Sequence, residues 1–115
     1  KAKSFNQPIG SWDVSSVETM DSMFKETQDF NQPLNEWDIS NVWDMTDMFS
    51  YTDKFNQPLD HWDVSEVEYM SYMFKCAGSF NQDISGWDLS NIKRNNSMFK
   101  KATNMIEENK PILSP

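Results

Sequence analysis

Asp13, Asp38, Asp63 and Asp88 stand 25 residues apart, each directly after a Trp and two places before a Ser. A column of carboxylates could hold calcium, which takes about six to eight oxygen ligands. Calcium loops, however, cluster their carboxylates within one short segment, whereas here each copy supplies one. An Asp two residues before a Ser also closes an Asx turn, and that structural role is the expectation for Trp-Asp-Val-Ser. Asn6, Asn31, Asn56 and Asn81 form a second column, expected as stacked, buried amides satisfying backbone groups between turns. Met20, Met23, Met45, Met48, Met70, Met73 and Met98 could suggest copper, but Met at this spacing beside Phe is the usual filling of a tolerant core. One Cys and one His, Cys76 and His61, cannot complete a zinc site. Cys76 shares its column with Glu26, Tyr51 and Lys101, so it is expected partly exposed, with nothing nearby to activate a thiol. Catalysis needs its groups placed once in one pocket, and nearly every candidate here recurs in all copies. Glu107 and Glu108, outside the repeats, are expected to be solvated. No enzyme activity, no cofactor and no metal site is expected.

The elements that would position these residues are as regular as the residues. Shifted by 25, Phe5-Asn6-Gln7 falls on residues 30–32, 55–57 and 80–82, Trp12 on Trp37, Trp62 and Trp87, and Met23-Phe24 on 48–49, 73–74 and 98–99. One such unit cannot bury its apolar face alone, but stacked units build a continuous core. Val17, Met20, Met23 and Phe24 recur at three- and four-residue spacing, which predicts a short helix over about residues 15–25. Ser15 with Glu18, and Ser65 with Glu68, match capping boxes at its start. An extended segment is expected at residues 5–9, shortened by Pro8, Pro33 and Pro58, or at residues 12–15. The expected fold is therefore α/β: a leucine-rich-repeat-like solenoid of four 25-residue repeats over residues 1–104, with helices on one face of a narrow parallel sheet. Lys1-Ala2-Lys3-Ser4 resembles residues 100–103, so the array is expected to start inside a longer one. Residues 105–115 break the pattern and are expected to be a C-terminal cap or tail; Asn95 in place of Met and Asp83 in place of Pro already mark the last repeat.

The chain has 115 residues, one domain's worth. Its 18 acidic against 10 basic residues give a net charge of −8, which repels phosphate backbones, so nucleic acid and anionic membrane are not expected partners. No apolar run approaches the roughly 20 residues of a membrane span. With eight Phe and five Trp the chain has enough apolar surface to fold. Subtracting the repeated positions leaves Trp43, Tyr51, Tyr69 and Tyr72 in variable columns, where exposed aromatic rings are candidates for partner binding. The expected partner is a protein or a glycan. The alternative is a structural spacer or a unit that associates end to end through an exposed apolar face.

The unit F-N-Q-P-L-x-x-W-D-V-S-x-V-x-x-M-x-x-M-F, present four times over residues 1–104, resembles the 25-residue repeat of BspA-like leucine-rich-repeat surface proteins, the mycoplasma-lipoprotein-type repeat classed as a domain of unknown function. The resemblance implies a surface-exposed or secreted, adhesion-type protein and brings no catalytic residues with it.

Overall fold

In the computed structural model, which describes residues 2–112, neighbouring amides between residues 20 and 27 serve two different purposes. Met20, Ser22, Phe24 and Glu26 donate N–H to the carbonyls of Asp44, Thr46, Met48 and Ser50 at 2.8–2.9 Å. The amides between them, from Met23, Lys25 and Thr27, donate back three residues to Met20, Ser22 and Phe24. The pattern repeats from residues 45, 47, 49 and 51 to residues 69, 71, 73 and 75, and again from residues 70, 72, 74 and 76 to residues 94, 96, 98 and 100. Within these segments the backbone donors thus mostly alternate between joining the next 25-residue layer and closing tight turns. These bonds form without a helix or a strand ladder.

The expected α/β fold is overturned. Among the described residues the only helical turn is a short 3-10 segment, Glu107–Asn109, and the only strand-like pairing is three isolated parallel bridges, Thr19 to Asp44, Asp44 to Tyr69 and Tyr69 to Arg94. Neither the helix over residues 15–25 nor a parallel sheet forms, so the chain is not a leucine-rich-repeat-like α/β solenoid. The physical reason lies in the backbone. Two positions of each layer have positive φ on a non-glycine residue: Ser22, Asp47, Tyr72 and Ser97 in one column, Glu26, Tyr51, Cys76 and Lys101 in the other, with φ between 53° and 65°. Such residues cannot continue a right-handed helix. Successive turns closing over three residues place apolar side chains at three- and four-residue intervals, the same spacing a helix would give. The capping boxes fall with the helix: the Ser15 and Ser65 hydroxyls donate to Asp13 and Asp63 instead.

The core runs along the stack. Phe24, Phe49, Phe74 and Phe99 stack with ring centroids 5.5–5.6 Å apart, and Phe5, Phe30, Phe55 and Phe80 stack at 5.6–5.9 Å. The two columns touch within each layer at 4.2–4.4 Å. Phe30, Phe49, Phe55, Phe74 and Phe80 are fully buried. Offset stacking of this kind adds to the free energy of area burial. Trp37, Trp62 and Trp87 close the side of the core, each donating its ring N–H to a carbonyl of the layer before it: Ile9, Leu34 and Leu59.

Candidate functional site

The two conserved-spacing polar columns hold the layers in shape. Asp13, Asp38, Asp63 and Asp88 each accept the N–H of the Ser two residues on, at 3.0 Å, as expected of an Asx turn. Asp83, where other repeats have Pro, builds the same turn with Ser85. The Ser side-chain hydroxyl first, and its backbone N–H second, hold the carboxyls of Asp13, Asp38, Asp83 and Asp88 below the ordinary value of 3.8. Among the described residues no three of the His, Cys, Asp and Glu side chains converge as metal ligands.

The Asn column also serves the backbone, although mostly at the surface rather than buried. Asn6, Asn31 and Asn56 accept the N–H of the Asn one layer on through their side-chain oxygens, each at 2.9 Å. Gln32, Gln57 and Gln82 donate to the same oxygens. Segment 105–111 completes this ladder with different residues: Ile106 supplies the N–H to Asn81, and the Asn109 amide takes the place of the Gln. Nothing in the repeat pattern signals that role for Asn109.

The variable aromatic residues come together on one side of the stack. Trp43 and Tyr69, on adjacent layers, meet edge to face with centroids 5.9 Å apart. Trp43, 39% exposed, lines an open cleft of about 770 Å³ whose other walls include Glu18, Asp63, Glu66 and Glu68. Tyr69 and Tyr72 line a neighbouring cleft of about 510 Å³ with Asp44, Thr46 and Arg94. Tyr51 lines neither cleft but is linked to Tyr72 through Lys75, whose ammonium lies 5.7 Å from the Tyr51 ring centre and 5.5 Å from that of Tyr72. Both tyrosines occupy positive-φ positions whose amides bond to the next layer, a backbone geometry that goes with rings left 37% exposed. Cys76 sits at another such position and is partly exposed.

All four sequence candidates thus lie in one neighbourhood, in two groups: Trp43 with Tyr69 and Tyr72 around the clefts, and Tyr51 beside them. Lys75 was not legible as the link, because a variable Lys carries no sign of which rings it will cover. Negative charge dominates the first cleft; the Lys93 ammonium pairs with Glu68 at 3.2 Å on its edge.

No curated protein and no solved structure matches the chain. A family model described as Mycoplasma protein of unknown function, DUF285, matches residues 1–111. That match spans all four layers and the segment that completes the Asn ladder, and on it the chain belongs to the DUF285 family.

Proposed function

We propose that this chain is a non-catalytic module of a surface-exposed or secreted protein, which binds a protein or glycan partner through the side of the stack carrying Trp43, Tyr69 and Tyr72, with Tyr51 at its edge. The observation that carries the reading is the meeting of Trp43 and Tyr69 at the junction of two open clefts. Exposed aromatic rings beside polar and charged groups are the usual anchors of protein interfaces and also suit the apolar faces of sugar rings. The carboxylates of Glu18, Glu66 and Glu68 disfavour a nucleic-acid partner. Surface location and adhesion rest on the resemblance of the repeat to BspA-like surface proteins.

The test is binding of the full chain to an array of extracellular-matrix proteins and glycans, alongside a Trp43→Ala/Tyr69→Ala/Tyr72→Ala variant. The expected result is a saturable hit weakened about tenfold or more in the variant. Trp43→Ala alone is expected to cost about 1–2 kcal/mol, because the ring is 39% exposed and loses its edge contact with Tyr69. Hits indifferent to the substitutions would move the function to the alternative, a structural spacer or self-assembling unit with no ligand of its own.

A further inference from the structure

Trp43 shares its column with Glu18 in the layer before it and Glu68 in the layer after it. The backbone fixes this order. The Trp43 amide donates to the Glu18 carbonyl, and the Glu68 amide to the Trp43 carbonyl, both at 2.8 Å, so the three side chains leave the stack along one line, a layer apart. Tyr69 meets the indole edge to face at 5.9 Å, and Trp43 stays 39% exposed. An aromatic ring is thus held in place, open to solvent, with a carboxylate-bearing residue on either side.

The cleft of about 770 Å³ in front of it adds the carboxylates of Asp63 and Glu66, and no Lys or Arg lines it. Two of these acids have work in the fold: Asp63 accepts from Ser65, and Glu68 pairs with Lys93 at 3.2 Å. The side chains of Glu18 and Glu66 have no hydrogen-bond or ion-pair partner among the described residues. Like charges around one opening repel one another. A cationic occupant relieves that repulsion, whereas a neutral sugar or an acidic segment leaves it in place. Between the two protein cations the indole decides. A guanidinium is planar, stacks on an aromatic face and reaches carboxylates with a fork of N–H donors, while an ammonium is a strongly hydrated point charge.

We propose that this cleft takes an arginine side chain from a basic segment of a partner protein, its guanidinium against the Trp43 indole and its N–H groups donated to Glu18 and Glu66. The assignment rests on the reading above that this side of the stack is the binding side, and it narrows the partner from a protein or glycan to a basic protein segment.

The experiment is a fluorescence-anisotropy titration of the full chain against a labelled Arg-rich Gly/Ser peptide at low ionic strength, beside its Lys and Gln counterparts. Three variants of unchanged melting temperature accompany it: Trp43→Ala, Glu18→Gln/Glu66→Gln, and Asp53→Asn/Glu108→Gln, which removes the same charge outside the cleft. The Arg peptide is expected to bind saturably, the Lys peptide several-fold more weakly and the Gln peptide not at all. Each cleft variant is expected to weaken the Arg peptide about fivefold or more, and the variant outside the cleft less than about twofold. An Arg peptide that fails to bind, binds no better than its Lys counterpart, or responds equally to both charge variants overturns the proposal. In the last case the attraction is only that of the net charge of −8. Should a variant lose its fold, amide and indole spectra of the unaltered protein decide: shifts on adding the Arg peptide confined to residues 16–18, 40–43 and 63–68 support the site, and their absence overturns it. Failure of the binding-side reading looks different. A matrix protein or glycan that binds and is lost in Trp43→Ala/Tyr69→Ala/Tyr72→Ala, with no binding of the Arg peptide, removes the arginine alone; hits indifferent to the aromatic substitutions remove both.

Discussion

Ser22 stands in the left-handed region at φ 59° with no Cβ-free residue to relieve it, and the same is true at its equivalents in every layer. The strain is held because each of the Ser22, Asp47 and Tyr72 amides donates to a carbonyl 24 residues ahead. Left-handed geometry costs an L-residue about 1–2 kcal/mol, and glycine returns roughly 0.5–1 kcal/mol of that through its greater freedom in the unfolded chain. Ser22→Gly is therefore expected to raise stability by up to about 1 kcal/mol in urea unfolding, and Ser22→Val to lower it. The Asx turns make a separate prediction. Asp38 is held below its ordinary value by Ser40, so its ionised form stabilises the fold above 3.8 and that contribution is lost as pH falls through the lower, folded value. Asp38→Asn, which keeps an acceptor but not the charge, is expected to lower the melting temperature at neutral pH, with the gap to the parent closing below pH 3.8.

At the scale of the layer, stability comes from what one layer does for the next. Phe55 is fully buried and touches Phe30, Phe49 and Phe80. Phe55→Ala leaves a cavity that neither neighbouring layer can fill, and is expected to cost roughly 3–5 kcal/mol in denaturant unfolding. Even the surface polar pairs follow the layer spacing: Lys54 with Asp29, His61 with Glu36 and Lys93 with Glu68 all join adjacent layers. Being exposed, they contribute little beyond favouring the register.

For the whole molecule, alternate amides of residues 20–26, 45–51 and 70–76 cross to the following layer, so each layer is held by its neighbour. Hydrogen exchange should show it. The amides of Met45, Phe49, Met70 and Phe74, bonded across layers, are expected to exchange slowly; those of Asn95, Ser97, Phe99 and Lys101, without acceptors among the described residues, are expected to exchange fastest among the alternate positions of the layers. Uniform protection through all four layers would contradict the layer-to-layer bonding described above.

The 25-residue period, the columns that form the core and the Asx role of the Asp column could all be read from the residues, because a repeated unit must bury the same side chains and close the same corners each time. The four aromatic candidates were found by subtraction for the same reason. Secondary structure was not determined that way. Val17, Met20, Met23 and Phe24 have helical spacing, yet three-residue turns give that spacing too, and nothing in a Ser, Glu or Tyr announces positive φ. Only stacking decided between them: once the next layer offers carbonyls at Asp44, Thr46, Met48 and Ser50, alternate amides gain more from crossing to it than from closing a helix within their own layer. The grouping of Tyr51 and Tyr72 around Lys75 and the use of Asn109 to finish the Asn ladder likewise depend on which residues the layers bring side by side.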